Sequence, residues 1–204
     1  MSSQIALPLV TARGAETVVT GPALDPVIAA LQNAADWPFR TAILTGPPRS
    51  GKSLLARWFA ESGAGEVIDG ADSLPENEVF HTWNRAQADG RPLLLVSDRP
   101  RGEWKITLPD LASRLGAALL IEVGAPDDEL LAGLLTGHAL RRGIVLGEAV
   151  LAYLLPRVER SYAEIELLIE TLDRLSLERK SPVTISLARD ALAERTGEFQ
   201  PRLL

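Results

Sequence analysis

Apolar residues fall along this chain in two rhythms, and the change between them comes near residue 126. Before it, short apolar runs at 42–44, 93–96 and 118–123, the last interrupted by Glu122, alternate with longer stretches of helical spacing. A short continuous run is the pattern of a strand buried on both faces. Strands alternating with helices predict a parallel α/β sandwich. The helices fall over 25–33, where Val27, Ile28 and Leu31 share a face behind Asp25 and Pro26, and over 52–61 and 76–88, the last with Val79, Phe80 and Trp83 inward. After Pro126 only helical spacing remains. Asp127-Asp128-Glu129 opens a helix that Arg141-Arg142-Gly143 closes, with Leu130, Leu131, Leu134 and Leu135 on its apolar side. A second helix is expected over 148–158. A third spans 161–177 on Ile165, Leu168, Ile169, Leu172 and Leu175, and a fourth follows Pro182 over 186–195. The expected organisation is a tail over 1–20, an α/β base over 21–125, a helical lid over 126–196 and a short tail over 197–204.

Between the first strand and the first base helix stands Gly46-Pro47-Pro48-Arg49-Ser50-Gly51-Lys52-Ser53, a G-x-x-x-x-G-K-[ST] phosphate loop in strand–loop–helix context. Its glycines let backbone amides wrap phosphates at a helix N-terminus. Lys52 is placed to reach the β- and γ-phosphates and Ser53 to hold Mg²⁺, so ADP or ATP with Mg²⁺ is the expected ligand. Val67-Ile68 ends in Asp69, the candidate carboxylate for that Mg²⁺. Few residues separate it from the preceding helix, which leaves two readings: one strand-helix unit is deleted, or this is the intervening strand and the Mg²⁺ strand is lost. The run 93–96 ends in Ser97-Asp98, at the edge where open parallel sheets bind ligands.

Composition narrows the classes. The 204 residues are enough for one domain with an appendage, and 46% hydrophobic content suits a packed core. No apolar run approaches the roughly 18 residues of a membrane span, and Met1-Ser2-Ser3-Gln4 lacks the basic start of a signal peptide, so no membrane association and a cytoplasmic location are expected. There is no cysteine, hence no disulfide or thiolate site. His81 and His138 lack ligand spacing. A net charge of −6 argues against DNA binding through a basic face; direct sequence-specific DNA contact is not expected.

A phosphate-loop sheet followed by a helical lid is the AAA+ plan, and longer strings narrow it. Leu94-Leu95-Val96-Ser97-Asp98-Arg99-Pro100 and Leu108-Pro109-Asp110-Leu111-Ala112-Ser113-Arg114-Leu115 resemble the bacterial initiator DnaA and, more so, its relatives of the Hda group. Arg142-Gly143-Ile144, Tyr153-Leu154-Leu155-Pro156-Arg157 and Leu172-Asp173-Arg174-Leu175-Ser176 carry the likeness through the lid. Gln4-Ile5-Ala6-Leu7-Pro8-Leu9 is similar to the clamp-docking peptide of that group, with Ile5 in place of Leu. The initiator's C-terminal DNA-binding domain has no counterpart in the sequence.

The resemblance implies an AAA+ base and lid, and roles for single residues. Arg114 would be an arginine finger acting on a neighbouring subunit's nucleotide, Asp98 the sensor-one residue, and Gln4, Ile5, Leu7, Pro8 and Leu9 the ligand of the DNA polymerase III β sliding clamp. The implied function is negative regulation of replication initiation by stimulating ATP hydrolysis on DnaA, with self-association left open. Three departures bear on the chain's own catalysis. Gly70 stands where a catalytic acid should follow Asp69. Ala163 stands where the lid arginine should be, with Arg160 one turn away. Val18-Val19-Thr20-Gly21 replaces an expected Phe. They imply weak or no intrinsic ATPase. Two other readings are a degenerate AAA+ adaptor on the clamp without effect on DnaA, and a helicase-loader-like ATPase working on its own account.

Overall fold

The computed structural model describes residues 21–100 and 102–197. The chain divides into two compact units, one ending at Gly124 and one beginning at Ala125, with Gly21 and Pro22 grouped with the second.

The first unit is a four-stranded parallel sheet with helices between its strands. In chain order its elements are α1 (Asp25–Gln32), β1 (Thr41–Thr45), α2 (Lys52–Glu61), β2 (Glu66–Ile68), α3 (Glu76–Ala88), β3 (Leu93–Val96), α4 (Pro109–Gly116) and β4 (Leu119–Glu122). The strand order is β2-β3-β1-β4, with Thr41 opposite Leu93, Ala42 opposite Leu119 and Glu66 opposite Leu93. Central strands must be apolar on both faces, and Leu93, Leu94 and Leu95 are fully buried. On one face Leu93 and Leu95 meet Val79, Ala86, Leu111 and Leu115 from α3 and α4, with Trp83 and Phe80 packed at the margin. Elsewhere in the unit Trp37 stacks on Phe59 of α2 at 5.3 Å between centroids.

The strand that follows α2 is the edge strand β2, hydrogen-bonded directly to β3. Residues 62–65 make the whole connection. Gly65 is required there, because a Cβ would lie 2.4 Å from the Pro92 carbonyl oxygen and 2.8 Å from the Phe59 ring. In a parallel sheet all strand ends of one kind share an edge, so Asp69 leaves the sheet at the same edge as Asp98 and the phosphate loop.

Glu76 links α3 to the segment that leads into α4. Its carboxylate accepts from the Thr107 amide at 2.8 Å, the Leu108 amide at 2.7 Å and the Thr107 hydroxyl at 2.9 Å. These bonds, the Thr107 amide foremost and against the opposing effect of burial, hold its acid below the ordinary value of 4.5. A carboxyl whose folded pKa is depressed stabilises the fold above its unfolded value, and that contribution is lost as pH falls through the folded value. Glu76→Gln is therefore expected to flatten the acid side of the pH–Tm profile below about pH 4.5 while leaving the neutral-to-basic side parallel to wild type. Thermal melts across that range check it, and an unchanged acid limb would remove Glu76 from the account.

The second unit is all helical: α5 (Asp128–Arg141), α6 (Glu148–Leu154), α7 (Tyr162–Arg179) and α8 (Ile185–Thr196). Asp127 caps α5 by accepting from the Leu130 amide at 2.8 Å, and Thr184 caps α8 through the Leu187 amide at 3.3 Å. Leu131, Leu135, Leu154, Ile165, Leu168, Ile169, Leu172 and Leu187 close the core. Arg195 of α8 grips Glu164 of α7 with both carboxylate oxygens at 2.7–3.0 Å. Burial, aided by Asp127, pushes the Tyr162 phenol up to about 12, so it stays neutral in the core. The second lid helix ends at Leu154, short of the expected residue 158. Pro156 has no amide hydrogen to extend the ladder.

Candidate functional site

The phosphate loop closes on itself between β1 and α2. Gly46 adopts φ +154°, and a Cβ there would lie 2.8 Å from both the Cβ and the carbonyl oxygen of Val123 at the end of β4. Only glycine lets the loop lie so close to the sheet. Pro47, Pro48 and Arg49 are exposed, and Arg49 takes a left-handed φ of 63°. The Ser50 amide donates to the Pro47 carbonyl at 3.3 Å. Gly51, at φ +83°, is the residue from which α2 starts. The first amides of a helix have no intrahelical acceptor, so they face the loop's mouth as donors.

Lys52 fills that mouth. Its side chain is only 5% exposed, and the ammonium donates to the Gly46 and Pro47 carbonyls at 3.0 Å each while facing Asp98 Oδ1 at 3.1 Å. Asp98 itself is 78% exposed at the end of β3. The Ser50 hydroxyl is buried with no hydrogen-bond partner. A glycine cradle that a Cβ would fill, a buried cation and an orphaned hydroxyl together fit the phosphates of a nucleotide. Ser53, in the first turn of α2, and Asp69, after β2, are both exposed oxygen donors. A Mg²⁺ held mainly by phosphates and water needs no more than one or two such protein ligands.

The segment that follows β3, Ser97 to Arg99, is fixed from below. Thr45 Oγ1 donates to the Arg99 carbonyl at 2.9 Å, and the Arg99 amide donates to Ser97 Oγ at 3.1 Å. Asp72 accepts from the Asp98 amide at 3.2 Å and pairs with Arg99 Nε at 3.3 Å. A carboxylate that the sequence did not single out, Asp72, thus ties the turn after β2 to this segment, while Asp69 remains the candidate Mg²⁺ ligand. Only the three-dimensional turn through Gly70 (φ +67°) reveals this.

Arg114 lies elsewhere. It rests on α3, with its Cζ 4.5 Å from the Phe80 ring centroid and 4.3 Å from that of Trp83, and Nη1 donates to Asn84 Oδ1. It makes no pair with Asp110, the neighbour its helix would offer. Trp83 Nε1 in turn donates to Thr41 Oγ1 at 3.0 Å. Thr41 begins the strand whose other end carries the phosphate loop, so Arg114 belongs to the opposite end of the sheet, roughly 13 Å away along β1. In the lid unit, Arg160 pairs with Asp128 at 2.6 Å and approaches the Pro126 carbonyl at 3.5 Å, and Ala163 lies in the first turn of α7. Gln4, Ile5, Leu7, Pro8 and Leu9, and Val18 to Thr20, lie outside the described residues.

Among the described residues no helix is long and apolar enough to cross a membrane.

Residues 127–192 match the family described as "Hda, lid domain". The fold is similar to domain III of the Thermotoga maritima replication initiation protein DnaA, at 18% identity and a TM-score of 0.69, covering 87% of this chain and 94% of that one. It is also similar to AMPPCP-bound DnaA from Aquifex aeolicus (18%, TM-score 0.57, 79% of this chain and 67% of that one). The Thermotoga maritima RuvB Holliday junction branch migration motor matches at 15% and a TM-score of 0.58, covering 84% of this chain and 68% of that one. The fold is thus the α/β fold with a helical second unit that DnaA domain III has, and the match over 127–192 agrees with the resemblance to DnaA and its Hda relatives read from the sequence.

Proposed function

We propose that this chain is an Hda-type negative regulator of replication initiation. It would bind ADP or ATP with Mg²⁺ in the Gly46–Ser53 loop, dock on the DNA polymerase III β sliding clamp through residues 4–9, and promote ATP hydrolysis on DnaA. Its place would be the cytoplasm, at the nucleoid, wherever clamps are loaded on DNA. The observation that carries this reading is the position of Arg114. A guanidinium at the far end of the sheet from its own phosphate loop cannot serve that loop's phosphates. It suits a neighbour's, where an arginine supplied in trans stabilises charge on the transferring phosphoryl group.

The chain's own residues do the following in this scheme. The α2 amides and Lys52 hold phosphates, Asp98 faces Lys52 across the mouth, and Gly70 supplies no acid beside Asp69. Bound nucleotide here would set the shape of the docking face, with turnover weak or absent.

ATP hydrolysis by DnaA, measured with DNA-loaded clamp in the presence and absence of this protein, tests the reading. A strong, clamp-dependent increase that Gln4→Ala removes at limiting protein supports it. Clamp binding with no increase would sink it in favour of a clamp-bound adaptor. Robust ATP turnover by the isolated protein would point to a loader-like ATPase.

A further inference from the structure

Arg114 is not a free surface arginine, and the way it is held differs from the way a stored charge would be held. We infer that Phe80, Trp83 and Asn84 of α3 form a presenting shelf for the Arg114 guanidinium: positioning residues that fix it for an incoming phosphate without neutralising it. The inference rests on the reading of Arg114 as a finger in trans.

The argument is one of directions. A guanidinium binds aromatic rings through its flat face and phosphate oxygens through the N–H groups of its edge. Phe80 and Trp83, three residues apart on α3, lie on the same side of that helix and take the face at 4.5 and 4.3 Å. Asn84 takes one edge donor, Nη1, through a neutral amide oxygen. A carboxylate would be the stronger partner, and carboxylates are plentiful here: the lid's Arg195, Arg174, Arg179 and Arg142 are each held by one or two. Arg114 instead has aromatic faces and an amide, so its charge stays available and the remaining edge donors are not claimed by an acid.

The shelf is itself anchored. Trp83 donates to Thr41 Oγ1 at the start of the central strand β1. Gln87, one turn further along α3, donates to the Phe39 carbonyl at 2.7 Å just before that strand. The chain of contacts therefore runs from the middle of the sheet to the guanidinium. Docking of a partner then finds the arginine already ordered, and less side-chain freedom is lost when it meets the phosphate.

The test uses the full-length protein and two measurements. In the first, the maximal stimulation of DnaA ATP hydrolysis and the concentration giving half of it are compared for wild type, Asn84→Ala, Asn84→Asp and Arg114→Ala. The shelf predicts a fall in the maximum of about 10-fold for Asn84→Ala, the loss of one hydrogen bond to a charged group, with the half-saturating concentration unchanged. Asn84→Asp should fall further, because it keeps the position but cancels the charge. A merely structural Asn84 would give the opposite order, with Asp the milder change. In the second, the Arg114 Nε–Hε resonance is followed by NMR in the isolated protein. It should show the upfield shift of a group lying over aromatic rings, reduced in Phe80→Leu, where only Trp83 remains, and retained in Phe80→Tyr. An unshifted resonance, or an Asn84→Asp protein that stimulates as well as wild type, overturns the shelf. If Arg114→Ala stimulates normally, the finger reading falls and takes the inference with it. If Arg114→Ala is inactive but both Asn84 variants are normal, the finger stands and only the shelf is lost.

Discussion

Arg114→Ala is expected to cut the stimulated rate of DnaA ATP hydrolysis by about 10³-fold, the lower end of what an arginine finger supplies where the rest of the site is assembled. The loss should appear in the maximal rate and not in clamp binding, because the residues proposed to dock on the clamp, 4–9, do not include Arg114. Arg114→Lys should recover little: an ammonium is a point charge that neither stacks between Phe80 and Trp83 nor offers a planar edge. The fold should survive, since Arg114 is half-buried on the rim of α3 and α4, while Leu111 and Leu115 hold the core. A thermal melt of each variant separates loss of the charge from loss of the fold. Stimulation by a folded Arg114→Ala protein at the wild-type rate would refute the trans mechanism.

The second large effect is expected at Lys52. Its ammonium is held by two loop carbonyls and Asp98 inside the mouth, and bound phosphates would take over that charge. Hydrogen bonds to a charged group contribute about 1.5–3 kcal/mol each, so losing the contacts to two phosphates should weaken ADP or ATP binding by at least about 100-fold. Titration with a fluorescent nucleotide reads this directly. Asp98→Asn makes the converse case, because it frees Lys52 from its facing carboxylate. Binding by Lys52→Ala at wild-type affinity would mean that the loop does not hold phosphates.

Much of the base and lid could be read from sequence because their signals are local. The phosphate loop is contiguous, the strands 41–45 and 93–96 are built on the short apolar runs 42–44 and 93–96, and Ile165 to Leu175 repeat at helical spacing. What escaped was made by distant parts of the chain. Asp72 looks like one more acid in a turn until the fold brings it to the Asp98 amide. Phe80 and Trp83 read as inward core residues, which they partly are, and nothing in α3 indicates that Arg114, thirty residues on, lies across their faces. The same holds for Glu76, whose partners belong to the segment before α4. The boundary furthest from its expected place, the end of α6, had its cause in plain view at Pro156.

The strand order also bears on how the chain is made. Synthesis runs from the amino end, and β1 leaves the ribosome long before either of its neighbours, β3 and β4. The strand that follows it, β2, shares no hydrogen bond with it, so a nascent chain that ends before Leu93 holds two unpaired strands with apolar sides. Emergence of β3 joins both at once, and β4 then covers the remaining edge of β1. The phosphate loop therefore gains its wall at Val123 only after nearly the whole base has been translated. Until then the ribosome carries an open hydrophobic edge, the form in which such a chain most needs a chaperone.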